Sequence, residues 1–385
     1  MLYRSKLNIL KSVNIRAFVR IFAQKIRIKQ ALHMLKKITF SVFSLLLFTH
    51  CTQEKSDIRV VCDTVPGGNY VIKWETFPPM EGTVKIYESS LPDSFNLYSP
   101  LAEAEISKGF KDISYQTGKR NYFKLVFNKK YSVITAERVI PMQGLFNFRD
   151  LGGYYNAKGK QTRWGKLYRS SSLSRATLPD AKELKDLGIQ TAIDFRTDID
   201  RLSAPSKFLP SQTFNFPLRG NRPFVYADRI LSKKMKAGDV KVYAQDMFSF
   251  FLENNSEYFM KMFDLLLDEN NYPIVIHCNM GTDRSAVAAA LILAALDIDM
   301  DRIVNDYMMS NDLIDYNSFI AKDNPFMQDP EIQETFTALL RVHQRAITYS
   351  FDKIIKEYGS MDNYFNTALK LTAKKREKLK EIMLY

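Results

Sequence analysis

Pro273-Ile274-Val275-Ile276-His277-Cys278-Asn279-Met280-Gly281-Thr282-Asp283-Arg284-Ser285 is the stretch that decides the fold. Ile274, Val275 and Ile276 form a short β-branched run, fit for a buried parallel strand. Residues 286–296, Ala-Val-Ala-Ala-Ala-Leu-Ile-Leu-Ala-Ala-Leu, are Ala-rich and apolar nearly all round, and read as a buried helix. Strand, tight loop and helix in that order turn successive backbone N–H groups into a concavity over a helix N-terminus. Both features favour a phosphate dianion. Five residues separate Cys278 from Arg284. In that register one turn of loop places the thiol beneath a phosphorus atom, while the guanidinium grips two non-bridging oxygens as a planar fork. The expected cradle comprises Asn279, Met280, Gly281 and Thr282, with Ser285 behind them. Gly281 allows the backbone conformations such a loop needs. The nucleophile has to be a thiolate, which a helix N-terminus and loop amides stabilise. The Ser285 hydroxyl is placed to bond the sulfur and help it leave. We expect His277 to support Cys278 by bonding the backbone, not to act as a base.

A second set of motifs lies upstream: Asn147-Phe148-Arg149-Asp150-Leu151-Gly152-Gly153-Tyr154, then Leu167-Tyr168-Arg169-Ser170, Leu187-Gly188-Ile189 and Ile193-Asp194-Phe195-Arg196. Asp306-Tyr307-Met308-Met309-Ser310-Asn311 follows the loop. His, Cys, five residues, Arg and then Ser or Thr resembles the active-site loop of protein tyrosine phosphatases. The ordered set over residues 141–385 is similar to the bacterial tyrosine phosphatase family whose loop usually reads Gly-Lys-Asp-Arg-Thr. The resemblance implies an α/β fold with a largely parallel sheet flanked by helices, a cysteinyl-phosphate intermediate, and neither metal nor cofactor. It also implies that Asp283 is the general acid to the leaving oxygen, the alternative being a salt bridge at the loop rim. Asp150 is the second candidate acid. One departure matters: Thr282 stands where the family has Lys. That removes a positive charge linked to phosphoinositide substrates and favours phosphoproteins.

The remaining candidates carry two readings each. Arg149 and Asp150 precede a Gly-Gly turn and either order the pocket wall or pair with each other. Asp194 and Arg196 end an expected strand, where α/β sheets present functional groups, although a structural ion pair is the simpler account. Arg219, Arg222, Arg229, Lys233, Lys234 and Lys236 make residues 219–242 basic. They form either a phosphate-attracting lid or a solvated helix face.

Working outward, the chain of 385 residues has 46% hydrophobic residues and a net charge of +13. Ten basic and no acidic side chains lie in residues 1–50, which leaves +3 for the rest and argues against a nucleic-acid partner. Three cysteines (Cys51, Cys62 and Cys278) cannot form a disulfide framework, and four scattered histidines argue against zinc. Residues 34–51 read MLKKITFSVFSLLLFTHC. Two lysines, an apolar run too short to span a bilayer, and then Cys51 resemble a bacterial lipoprotein signal. The sequence therefore divides into 1–33, upstream of the expected true start at Met34, a signal peptide at 34–50, and a tether at 51–56 from lipidated Cys51. The expected location is exported and membrane-anchored. Residues 57–140 alternate apolar and polar in short runs, such as Tyr70-Val71-Ile72-Lys73-Trp74 and Tyr122-Phe123-Lys124-Leu125-Val126-Phe127. They suit a small β-sandwich, resembling fibronectin-type or immunoglobulin-like modules, with Trp74 in its core and Cys62 a buried or lone thiol. The catalytic region is 141–385.

Together these features point to a protein-tyrosine or dual-specificity phosphatase acting on a phosphorylated protein or other phosphomonoester. The competing readings are a phosphoinositide phosphatase and a catalytically inactive phosphate-binding module. A sulfur-transfer enzyme would also use a loop cysteine, but the Arg six positions later and the lack of a second nearby Cys oppose it.

Overall fold

The computed structural model describes residues 57–65, 68–114, 120–220, 223–319 and 325–385. The start at Met34, the signal peptide, Cys51 and Arg222 lie outside the described residues. No helix among the described residues is long and apolar enough to cross a membrane.

The β-rich region builds two sheets, with β2–β5 and every pair of the second sheet antiparallel. Strands β1 (Asp57–Thr64), β2 (Tyr70–Phe77) and β5 (Phe110–Ile113) form one, in the order β1-β2-β5. Strands β3 (Thr83–Ser89), β4 (Ala102–Glu105), β6 (Tyr122–Phe127) and β7 (Tyr131–Ala136) form the other, in the order β4-β3-β6-β7. Alternation drives the packing: Ile72 and Trp74 of β2 meet Val84, Ile86, Leu125 and Phe127 of the second sheet in one core. Trp74 is buried and its indole N–H donates to the Ile106 carbonyl at 2.7 Å. Cys62 is buried in the same core, where desolvation pushes its thiol upward. β4 and β5 escape a sequence reading because Ala-Glu-Ala-Glu and Phe-Lys-Asp-Ile carry too few β-favouring residues.

The α/β region centres on a five-stranded sheet of order β11-β10-β12-β9-β8. Strands β9 (Leu167–Ser170), β10 (Thr191–Asp194), β11 (Gln212–Asn215) and β12 (Ile274–His277) are mutually parallel, and β8 (Arg149–Asp150) runs antiparallel to β9. The register places Asp194 and Ser170 beside His277, so the carboxyl ends of β10, β9 and β12 converge. Ligand sites of open α/β sheets form at that edge. The helix Arg284–Ala295 follows β12 and is buried on nearly its whole circumference, because Ala and Leu on every face let the sheet and surrounding helices approach. Leu291, Ile276, Phe259 and Phe351 share its core. Residues 58–385 form one compact unit. Within it the two regions are joined by Arg120, which pairs with Asp150 at 2.9 Å, and by Trp164, whose indole N–H donates to the Ile134 carbonyl at 3.0 Å.

Candidate active site

β12 delivers Cys278 to the sheet edge, and the chain then turns through residues 279–283 into the helix Arg284–Ala295. The turn is tight because the Gly281 backbone lies against β9. At φ +76°, an added Cβ would stand 2.6 Å from the Ser170 carbonyl oxygen, so only glycine fits. The loop carbonyls are held from behind. Asn279 O accepts from the Ser172 N–H at 3.0 Å. Gly281 O accepts from Asn147 Nδ2 at 3.1 Å and from Arg169 Nη2 at 2.5 Å, and Met280 O accepts from Asn147 Nδ2 at 3.4 Å. Among the described residues, the backbone N–H groups of residues 279–283 find no protein acceptor. A run of unsatisfied amides over a helix N-terminus is an anion site.

Cys278 is buried, with Sγ 3.4 Å from Ser285 Oγ. Arg284 Nη1 donates to Asp200 Oδ2 at 3.2 Å. Asp200 comes from the helix Asp198–Ser203, which it also caps: its amide donates to Thr197 Oγ1 and its carboxylate accepts from the Thr197 amide, both at 3.2 Å. Burial pushes the Asp200 carboxyl up, but hydrogen bonds from Thr197 and Asn279 and the charge of Arg284 outweigh that and hold it below the usual range. Asp283 is partly buried at the helix start, and its carboxyl is raised by desolvation, with Arg284 opposing.

A cavity of about 230 Å³ opens above the thiol. Cys278, Asn279, Met280, Thr282, Asp283 and Arg284 form its floor. Its walls carry Tyr226 of the helix Pro223–Leu231, Tyr243 and Phe251 of the helix Ala237–Asn254, and Tyr307. The Tyr226 and Tyr243 rings lie 3.9 Å apart between centroids.

Beneath the loop lies a buried charge cluster. Asp306 accepts from Arg149 Nε at 2.9 Å, Arg169 Nη1 at 2.6 Å and the Tyr154 hydroxyl at 2.9 Å. Arg149 also donates to the Asp306 carbonyl at 2.8 Å and to the Asn147 side chain. Burial alone would raise the Asp306 carboxyl, but Arg149 and Arg169 hold it far below the usual range. Desolvation, reinforced by Arg149, pulls Arg169 down to about 10.

Several expectations change here. Arg149 and Asp150 do not pair with each other: Arg149 takes Asp306 and Asp150 takes Arg120. Asp150 also accepts from the amides of Gly152 and Gly165, both at 2.7 Å, and does not line the cavity, so it is placed to shape a turn and not to protonate a leaving group. Asp194 and Arg196 form a buried ion pair, with Nη2 2.8 Å from Oδ2, and Arg196 continues to the Ala204 carbonyl. The nearest carboxylate oxygen to the buried His277 ring is 3.7 Å away on Asp194; burial takes the imidazole down to about 4, against the opposing pull of Asp194 and of a backbone hydrogen bond at Cys278, and leaves it neutral. Of the described cations in the basic stretch, Lys233 pairs with Asp329 at 2.5 Å and Lys236 with Glu331 at 3.5 Å, and none lines the cavity above the thiol. The two helices of that segment contribute aromatic walls instead.

Sequence reading missed Asn147, Arg169 and Asp306 as loop supports, although all three sit in the motifs quoted above. It also missed Asp200, whose Thr197-x-x-Asp200 spacing is a legible capping box. Among the described residues no His, Cys, Asp and Glu cluster has the arrangement to hold a metal ion.

With this geometry in view, residues 140–385 match the profile described as "Tyrosine phosphatase family". A Cupriavidus necator protein, named a candidate tyrosine-protein phosphatase, is 28% identical over 232 residues, covering 58% of this chain and 82% of its own length. The triple specificity protein phosphatase PtpB of Mycobacterium tuberculosis is 26% identical over 269 residues, covering 60% of this chain and 94% of its own. The solved catalytic core of the PP-IP phosphatase SIW14 from S. cerevisiae aligns over 59% of this chain and 96% of its own, at 16% identity and a TM-score of 0.27. At that score the fold description rests on this chain's own strand order.

Proposed function

The chain belongs to the tyrosine phosphatase family, enzymes that hydrolyse phosphate monoesters, and from that premise we propose that it dephosphorylates phosphotyrosyl proteins with Cys278 as nucleophile. The observation that carries the reading is the single cavity that joins Cys278, Asp283 and Arg284 to a tyrosine-lined wall. The thiolate attacks phosphorus while the free loop amides and Arg284 hold the equatorial oxygens. Arg284 exchanges its Asp200 contact for the dianion as substrate enters. Asp283 gives its proton to the departing phenol oxygen, a role that the upward push of burial on its carboxyl favours. Water then attacks the phosphocysteine, and the Ser285 hydroxyl, 3.4 Å from Sγ, stabilises the returning thiolate.

The wall favours an aryl ester. A phenyl ring burying on the order of 100 Å² against Tyr226, Tyr243 and Phe251 gains about 2.5 kcal/mol, which a seryl phosphate cannot match. Turnover of matched phosphotyrosyl and phosphoseryl peptides tests this. We expect the tyrosyl peptide to lead by at least tenfold, and Tyr243→Ala to shrink the gap. Equal rates in the wild type would reject the tyrosine preference. Export and membrane anchoring through Cys51 complete the proposal on the strength of the signal-like run at residues 34–51. Metabolic labelling with a radioactive fatty acid, lost in Cys51→Ala, checks it; an unlabelled wild-type chain would sink it.

A further inference from the structure

The catalytic cavity carries two arginines, and they differ in situation. Arg284 belongs to the loop and is paired with Asp200. Arg341 comes from a different element: it is the C-cap of the helix Pro330–Leu340, exposed, and paired with no carboxylate among the described residues. Its backbone is fixed. The next residue, Val342, exchanges two hydrogen bonds with the Asn311 side chain, N–H to Oδ1 at 3.0 Å and carbonyl from Nδ2 at 3.1 Å, and His343 Nε2 lies 2.8 Å from the Ala338 carbonyl. A charged side chain therefore projects from a pinned strap at the mouth of the site.

Arg341 and His343 also line a neighbouring open cavity of about 550 Å³, whose other charged residues are Lys241 and Glu334. The two cavities are thus contiguous through Arg341. Arg341 and Lys241 outnumber the single carboxylate, and neither is engaged in an ion pair among the described residues. The loop itself adds no second cation, because Thr282 is uncharged. The excess positive charge near the thiol is set beside the phosphate position, over a surface large enough for one or two further residues of a peptide.

Resting on the phosphotyrosyl-protein reading above, we propose that Arg341, assisted by Lys241, binds an anionic side chain next to the phosphotyrosine, so that the enzyme selects acidic phosphopeptides. The second cavity is the seat of that neighbouring residue. A carboxylate and a second phosphate present the same chemistry to a guanidinium fork, and both sources lie on the same substrate chain.

The test uses the full chain and a peptide series with phosphotyrosine flanked by Glu, phosphoserine, Ala or Lys. Steady-state kcat/KM is measured for wild type, Arg341→Ala and Arg341→Glu, and peptide binding is measured by anisotropy on Cys278→Ser versions of all three. Wild type should favour Glu over Ala flanks about threefold to fivefold, the scale of a partly exposed ion pair. Phosphoserine flanks should gain more than Glu if a second phosphate is the better source. Arg341→Ala should level the series and Arg341→Glu should invert it toward Lys, an inversion that misfolding cannot produce. A wild-type series that is flat, or an acidic preference that persists in Arg341→Glu, overturns the proposal. Failure of the wild type to hydrolyse any peptide rejects the phosphatase premise alone, because the Cys278→Ser binding series still reports whether acidic flanks are selected.

Discussion

Replacing Asp306 by Asn removes one charge from the middle of the cluster that supports the catalytic loop, and the structure sets the scale of the loss. Asp306 is 2% exposed and compensates two arginines that are themselves essentially inaccessible, Arg149 at 0% and Arg169 at 1%. The Asn amide keeps the shape but loses the charge, and it turns a donor toward guanidinium groups that need acceptors. Breaking a buried pair in this way leaves uncompensated charge and costs about 3–5 kcal/mol. That is a large share of the roughly 5–15 kcal/mol that holds a domain folded. With a urea slope of about 3 kcal/mol/M for a chain of this size, the unfolding midpoint should fall by about 1–1.7 M. Urea titration followed by tryptophan fluorescence reads it directly. Acid supplies a second reading. Because the folded-state carboxyl of Asp306 is depressed, the stability it contributes is present above the ordinary aspartate value of about 3.9 and is lost as pH falls through the depressed one. The difference between wild type and Asp306→Asn should therefore be full at neutral pH and shrink only in strong acid. A midpoint change worth less than about 1 kcal/mol, or a difference that does not narrow in acid, would refute the view that the cluster is a charge-compensated support.

Asp283→Asn should lower kcat on an aryl phosphate by about 10²–10⁴-fold, the usual contribution of a general acid. Since burial raises the Asp283 carboxyl, wild-type activity should decline as pH rises through that raised value, and the decline should vanish in the variant, as a pH–rate profile will show. Ser285→Ala should slow breakdown of the phosphocysteine more than its formation, so stopped-flow should show a burst of phenol followed by a slow phase; a burst-free trace with unchanged kcat would contradict the role given to the hydroxyl. Gly281→Ala forces a Cβ to within 2.6 Å of the Ser170 carbonyl at a positive φ. It should reduce turnover at least tenfold with little change in the far-UV circular dichroism spectrum.

What the sequence revealed and what it hid divides along physical lines. The strand Ile274–His277 and the buried helix after it are local features, written in a β-branched run and an Ala-rich run, and both lie where that reading places them. The largely parallel sheet was what the family resemblance implied, and the strand pairing bears it out. Ion-pair partners are not local features. Arg149 stands next to Asp150 in sequence yet bonds Asp306, because β8 turns successive side chains to opposite faces. His277 closes its strand beside Asp194, a neighbour that strand pairing and not local sequence supplies. In the basic stretch at 219–242, Lys233 and Lys236 find Asp329 and Glu331 about a hundred residues downstream, partners that no local pattern names. Tyr226 and Tyr243 carried no signal in the sequence, since a cavity wall and a core face share the same helical periodicity.

The central claim is that Cys278 carries the phosphoryl group. The most direct test is to mix the full chain with excess 4-nitrophenyl phosphate in the presence of chelator, quench in acid during turnover, and map the phosphate by peptide mass spectrometry. The account predicts phosphate on the peptide holding Cys278, with none in Cys278→Ser and no nitrophenolate released by that variant. Phosphate on another residue, or turnover that survives Cys278→Ser, would contradict it.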